Sequence, residues 1–325
     1  MNDLRSSLRL AADEAGILEA ARLLGLGRTV AFPTETVYGL GADATDPTAV
    51  ALIYAAKERP RFNPLIAHLA DLAAAQVQGV FDDAALALSS AFWPGPLTLV
   101  VPAGPGCTVC DLARAGLASV ALRVPGNTIA RDLLARVGRP VAAPSANRSG
   151  RVSPTRAAHV RADLDGRIDA ILDGGTAPVG VESTVVACLD GSPRLLRPGG
   201  VTRGDLERIL GYAVAGPAPD DSARPIGPGL LASHYAPRAR VRLDATTVAA
   251  GEAVLRFGGM PAVMDAYVSL DLSPGGDLTE AAANLFSALR SLDASGTESI
   301  AVAPIPQTGL GEAINDRLRR AAAPR

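Results

Sequence analysis

An α/β fold built on a twisted, partly antiparallel sheet follows from three features of the sequence. Short apolar runs of strand character recur along the first two thirds of the chain. Stretches with apolar residues at helical spacing lie among them without strict alternation, and a Pro- and Gly-rich segment then separates a second, smaller set of the same kind. The length of 325 residues suits two domains, taking roughly 100–200 residues for each.

The elements follow in order. Residues 12–25 (ADEAGILEAARLLG) carry apolar residues at helical spacing and end at a glycine, which predicts an amphipathic helix. TVAF (29–32) reads as a short buried strand stopped by Pro33, and the polar turn PTET leads on to VYGLGADA. A second helix is predicted over 47–57, with Pro47 suited to its first turn. LIAHL, LTLVV, SVALRV, PVAA, DAILD and STVVACL read as strands. Residues 127–137 and 202–210 read as helices, the latter opened by Thr202 and closed by Gly211. The first domain therefore spans 1–212. Residues 213–238 are rich in proline and glycine without periodicity, which predicts a semi-rigid linker. Its apolar, aromatic end (LLASHY) suits a lid over a pocket. In 239–325, VRL, EAVLRFG, DAYVSLDL and SIAVAPI read as strands and 279–293 and 311–323 as helices, giving a small second α/β domain.

Composition excludes several classes. Hydrophobic residues make up 48% and charged residues 20%, with a net charge of −2. That balance belongs to a globular protein and not to a general nucleic-acid or membrane-surface binder. Charges at Asp3, Arg5 and Arg9 stand where a signal peptide needs an apolar run, and no stretch approaches the ~18 apolar residues of a membrane span. Three cysteines cannot all pair, which points to a reducing cytoplasm. Cys107 and Cys110 form a CxxC that lacks the second pair of a zinc site, so a structural or incidental role is expected.

Lys57 is the one lysine among 31 basic residues. It follows Ala56 and precedes Glu58, so there is no Walker A loop, and HExxH and GxSxG are absent too. Gly39, Gly41 and Ala44 match the GxGxxA dinucleotide fingerprint weakly, because Pro33 interrupts the preceding strand. Other clusters carry more. FPTETVYG joins a strand end to a hydroxyl-rich loop. AKERPRFNPLIAH offers Lys57, Arg59, Arg61, Asn63 and His68, and its prolines 60 and 64 make it straddle a helix end and a strand. APSANRSG supplies Ser145 and Asn147 in a turn, while Arg123 ends a strand and Arg197 precedes a glycine pair. Singly, each is a solvated charge or a turn former. Together, cations and hydroxyls at neighbouring strand ends read as an anion pocket for phosphate or carboxylate.

FPTETVYGLGADA, AKERPRFNPLIAH, FWPGPLTLV, ALRVPGN, APSANRSG, VESTVV and LLRPGGVT occur here in the order seen in YrdC-like threonylcarbamoyl-adenylate synthases. The resemblance covers about residues 15–211. The linker, with SHYAP, and the closing GLGEAINDRLRRAA make the chain similar to the long, two-domain form of that family. The implied fold is a double-stranded-RNA-binding-like YrdC domain followed by a Rossmann-like one. The implied activity is nucleotidyl transfer: threonylcarbamoyl-AMP and pyrophosphate from L-threonine, bicarbonate (or CO2) and ATP, with Mg2+ accompanying the ATP. The product serves threonylcarbamoylation of adenosine 37 in tRNA, which extends the partners to a downstream threonylcarbamoyl transferase complex and to tRNA. No membrane partner is implied.

The resemblance also implies roles. Thr36, His68, Arg123, Ala143 and Ser183 fall on L-threonine-binding positions, and a guanidinium such as Arg123 suits a carboxylate. Arg59, Asn63, Ser119, Ser145, Ser153, Arg197 and Tyr235 fall on ATP-binding positions. Lys57 and Asn147 belong to the family's K-x-R and S-x-N signature, which places Asn147 with the ATP set and gives Lys57 and Arg59 the catalytic role of stabilising charge on the phosphates. Glu58 stands where a glycine is frequent and is able to pair with Lys57 or Arg59. No protein side chain is expected to bind a metal. The competing expectations are carbamoyl transfer to another acceptor and an RNA-binding module.

Overall fold

The computed structural model describes residues 6–59, 63–217, 234–259 and 266–324. Arg61 and most of the proposed lid therefore lie outside the described residues.

Ten strands of the first portion share one mixed sheet: β1 (Leu8–Ala11), β2 (Val30–Phe32), β3 (Gly39–Asp43), β4 (Ile66–His68), β5 (Leu97–Pro102), β6 (Ser119–Arg123), β7 (Val141–Ala142), β8 (Ala170–Asp173), β9 (Thr184–Ala187) and β10 (Arg194–Arg197). Their order is β1-β8-β2-β3-β7-β4-β6-β5-β9-β10. The helices α1 (Glu14–Gly25) and α2 (Pro47–Lys57) begin where short polar side chains cap them. The Asp13 carboxylate accepts from the Gly16 amide and that of Asp46 from Thr48, with Pro47 opening α2. Thr202 likewise caps the helix Arg203–Leu210, which Gly211 closes with φ 78°. Ile53, Leu88, Leu99 and Leu122 fill one core of the sheet, and Ile17, Leu24, Phe32 and Leu133 another.

Strands β1 and β10 and the helices Leu72–Gln78, Asp83–Phe92, Asp111–Arg114 and Ala157–Leu164 go beyond the elements read from sequence. Edge strand β1 is largely exposed and lacks a sustained apolar run. Alanine-rich stretches such as LAAAQVQ give weak periodicity because a methyl marks either face. Gly39 and Gly41 sit inside β3, not at a strand-to-helix turn. A Cβ at Gly41 would come within 2.8 Å of the Phe32 ring, so strand packing accounts for that glycine.

In the last portion, β11 (Arg240–Arg242), β12 (Ala253–Arg256), β13 (Val268–Asp271) and β14 (Ser299–Val302) form an all-parallel sheet in the order β11-β14-β12-β13. Parallel pairing requires long crossovers, and the helix Leu278–Ala294 provides the one between β13 and β14; a further helix, Leu310–Ala322, follows β14. Phe286, Leu289, Ile300 and Ile314 form the core, which continues into Val37, Val152 and Val181 of the first portion and into Tyr235. Each valine contributes about 1.5–3 kcal/mol when fully buried. Gly180, at φ 76°, makes the contact close: a Cβ there would lie 2.2 Å from the Ala282 carbonyl oxygen.

Candidate active site

Pairing in the sheet gathers the polar residues. Parallel β4 and β6 set His68 opposite Arg123. The β2–β3 hairpin holds PTET at its turn. Parallel β5 and β9 align Leu97 with Thr184, which brings Ser183 to Thr98 with their hydroxyl oxygens 2.8 Å apart. Thr36, His68, Arg123, Ala143 and Ser183 line one cavity. Arg59, Asn63, Ser145, Arg197 and Tyr235 line the same one.

Its polar groups are held firmly. Thr34 Oγ1 lies 2.8 Å from Thr36 Oγ1 and donates to the Val37 carbonyl at 2.7 Å. His68 Nδ1 stands 3.2 Å from the Ile66 carbonyl, which assigns the proton to Nδ1 and leaves Nε2 an acceptor. Burial, and next the Arg123 charge, lower the His68 pKa to about 3, so the ring is neutral. Arg123 donates from Nη2 to Glu35 at 2.6 Å and from Nε to the Gly95 carbonyl at 3.3 Å. Burial pushes Glu35 upward, but the charge and hydrogen bond of Arg123 outweigh it and keep the carboxyl below its ordinary range. Arg197 clasps the Ser183 carbonyl with Nε at 3.1 Å and Nη2 at 2.8 Å.

Four residues of the expected set stand outside the cavity lining. Lys57 is fully buried, and its ammonium donates to the Ser145 and Asn147 carbonyls. Desolvation, then the neighbouring Arg59 charge, depress its pKa well below the ordinary value. It is therefore a fixed pin under the 143–150 turn and not a free charge at the surface of the pocket. Asn147 braces that turn from Nδ2 to the Arg148 and Arg151 carbonyls. Ser153 donates to Glu182. Ser119 lies at the opposite end of β6 from Arg123. Glu58 pairs with neither Lys57 nor Arg59: it turns away in a left-handed conformation, φ 55°, and binds Arg148 and Arg167. That backbone conformation favours glycine.

The pin has a measurable consequence. Lys57→Met strips the Ser145 and Asn147 carbonyls of their donor, and unsatisfied buried carbonyls cost about 1–3 kcal/mol each. Relief of the buried charge offsets part of this, so a net loss of about 2 kcal/mol is expected in urea unfolding. An unchanged midpoint would show that the ammonium does not hold the turn.

Several wall residues were missed from sequence. Glu182 and His234 line the cavity. Burial, then the charges of Arg59 and Lys57, depress the His234 pKa well below its ordinary value. Tyr235 beside it adopts φ 61°, a conformation that costs a non-glycine residue about 1–2 kcal/mol. Arg317, on the Leu310–Ala322 helix, donates to Glu182 at 2.8 Å. Its helical phase was a usable signal, since Ile314, Leu318 and Ala321 share its buried face. Arg59 Nε, Asn63 Oδ1 and His234 Nδ1 are buried without hydrogen-bond partners. Orphaned donors and acceptors converging on one cavity fit a polar ligand, and the Arg59 donor suits an anionic group on it. Among the described residues no group of three or more His, Cys, Asp or Glu is placed to hold a metal ion, and Cys107, Cys110 and Cys188 are free thiols. No helix of the described residues is long and apolar enough to cross a membrane.

Comparison with known proteins finds relatives along nearly the whole chain. The family model Sua5–YciO–YrdC, described as "Telomere recombination", matches residues 22–199, and "Threonylcarbamoyl-AMP synthase, C-terminal domain" matches 201–323. The threonylcarbamoyl-AMP synthase of Bacillus subtilis (strain 168) is 42% identical, over 97% of this chain and 95% of its own. That of Pyrococcus abyssi (strain GE5 / Orsay) is 40% identical, over 97% and 96%. The crystal structure of P. abyssi Sua5 complexed with L-threonine superposes with a TM-score of 0.87 at 36% identity, covering 97% of each chain.

Proposed function

The chain belongs to the Sua5–YciO–YrdC family, and from that membership and the chemistry of the cavity we propose that it is a threonylcarbamoyl-AMP synthase. It would join L-threonine, bicarbonate (or CO2) and ATP into threonylcarbamoyl-AMP and pyrophosphate, and so act as a nucleotidyltransferase. The product would pass to a threonylcarbamoyl transferase complex acting on adenosine 37 of tRNA. Residues 1–212 would form the YrdC-like, double-stranded-RNA-binding-like catalytic domain, 213–238 the linker and lid, and 239–325 a Rossmann-like domain.

One observation carries the reading. Three guanidiniums, Arg59, Arg123 and Arg197, line the cavity and give it a positive field, while burial is the first cause that lowers the pKa values of His68, His234 and Arg59 there. The same field acts on whatever enters. It favours a neutral threonine amine over an ammonium, an anionic carbamate over a neutral one, and a bound triphosphate. The amine adds to CO2, forming an N–C bond and releasing a proton. A carbamate oxygen then attacks the α-phosphorus, and pyrophosphate leaves. Positioning and charge neutralisation are what this chemistry needs. Arg123, which keeps donors beyond its two bonds, takes the threonine carboxylate. Thr36, Ser183 and the His68 Nε2 acceptor line the threonine subsite, with Ala143 as its apolar floor. Arg59, Asn63, Ser145 and Arg197 face the nucleotide, and Tyr235 closes over it. Lys57, Asn147 and Ser153 act behind this layer. Mg2+ enters bound to the nucleotide phosphates as part of the substrate.

The test is direct. Protein incubated with ATP, 13C-bicarbonate and single amino acids should release pyrophosphate with threonine and yield a 13C-labelled carbamoyl-adenylate by mass. Turnover independent of threonine, a carbamoyl group on another acceptor, or RNA binding without pyrophosphate release would overturn the assignment.

A further inference from the structure

We propose that Arg317 is the positioning residue through which the C-terminal portion holds the wall of the active cavity in place. The proposal rests on the cavity being the site of adenylate formation. Arg317 is 0% exposed, and among the described residues it heads the fully buried side chains by size. A buried arginine needs partners, and these come from three segments of the wall. Nε donates to Glu182 Oε2 at 2.8 Å. Nη1 donates to the Pro198 carbonyl at 2.9 Å, next to Arg197, and to Asp316 at 2.7 Å. The guanidinium carbon lies 5.2 Å from the centroid of the Tyr235 ring. Glu182, Arg197 and Tyr235 all line the cavity.

The chemistry selects arginine. A planar fork can reach a carboxylate and a carbonyl in different directions while its face lies on an aromatic ring, which a lysine cannot do. Tyr235 needs such support, because its left-handed backbone persists only where surrounding contacts over-determine it. Phe286 of the Leu278–Ala294 helix adds a second, stacked contact at 5.7 Å. Glu182 is fixed from its other side by the Ser153 hydroxyl. Ser153, Glu182, Arg317 and Tyr235 thus make one chain of contacts from behind the cavity to its cover. Arg317 itself is not among the lining residues, so it acts through Glu182 and Tyr235.

The experiment is a double-mutant cycle in the full-length protein, with Arg317→Lys, Tyr235→Leu and the double variant. Arg317→Lys keeps a positive charge for Glu182 but gives up the fork and the planar face; Arg317→Gln is made alongside, and whichever folds is used. The Arg317 variant should lower kcat/KM for ATP at least 10-fold and speed amide exchange at residues 234–236. In the Tyr235→Leu background the same change should cost at least 3-fold less than in the wild type, because the share that acts through the ring is gone and only the share through Glu182 remains. Wild-type kinetics in the Arg317 variant, or two effects that simply multiply, would overturn the proposal. Wild-type protein that makes no threonine-dependent pyrophosphate defeats the assigned activity instead. The exchange measurement then still decides the positioning claim, and unchanged protection at 234–236 defeats it.

Discussion

Arg59→Met should lose threonine-dependent pyrophosphate release by at least about 100-fold while leaving the protein as stable as before, or more so. Both halves follow from the same geometry. The Arg59 guanidinium lines the cavity, its Nε is buried without a partner, and its one described hydrogen bond is a long contact from Nη2 to the Pro64 carbonyl at 3.4 Å. Burial pulls its pKa down to about 10. A charge held so poorly by the protein is poised for an anion that arrives from outside. Removing one preorganised group from charge developing at a transition state typically costs about 2.7–4 kcal/mol, or 100- to 1,000-fold. Folding, by contrast, gains nothing from an uncompensated cation in a dry site. The contrast with Lys57 is the useful part, because the Lys57 ammonium has two carbonyl partners and its loss weakens the fold. Steady-state kinetics with ATP and a urea midpoint decide the matter. Near-normal turnover, or loss of activity and stability in step, would sink the assignment of Arg59 to the phosphates.

Acid should unfold the protein earlier than its modest net charge suggests. The chain has three histidines. His68 titrates at about 3 and His159 at about 4, and His234 is held well below the ordinary value; burial is the first cause each time, with arginines adding to it. Folded values lie below unfolded ones, so the unfolded chain takes up protons first. The stability these groups contribute is complete above about pH 6.5 and falls away as pH drops toward the folded values. Each buried neutral histidine gives a slope of about 1.4 kcal/mol per pH unit in that window. His159 and His234 are half-buried and contribute less, their shares being screened by solvent. Against a typical total of about 5–15 kcal/mol, the His68 term with smaller shares from the other two is a sizeable part of the margin by about pH 5. Urea midpoints should therefore fall steeply from pH 6.5 to 5.5 and hold steady from 7.5 to 6.5. A flat profile across the whole range, or imidazole resonances titrating near 6.5, would contradict the buried, neutral state.

Much of this was legible in the sequence because local chemistry wrote it there. The limits of α2 could be read from Pro47 in its first turn and from the prolines at 60 and 64 beyond its end. That His68 and Arg123 approach one another could be expected from their positions at strand ends, since strand ends meet where strands pair, whereas Thr36 and Ser183 were expected there from the family resemblance. Direction was not legible. The lone lysine stood out at once, yet nothing local told which carbonyls surround its ammonium, so it was expected in the pocket and lies beneath it. Glu58 was expected to pair within its own segment and instead reaches arginines 90 and 109 residues away. Arg317 escaped notice for the same reason, its partners in the wall lying 119 and 135 residues distant. Local pattern marks which groups are unusual; only the fold chooses their partners.

The close seat of the Leu278–Ala294 helix against Gly180 joins what composition divides. Composition draws a boundary near residue 212, and the two sheets respect it. The energetics do not. Val37, Val152 and Val181 have their apolar company in the far portion, and Glu182 has its counter-ion there. Pulling the two portions apart would wet those valines and leave a carboxylate without compensation in the wall of the cavity. The two sheets are separate in topology, yet an apolar cluster and a buried ion pair are shared between them.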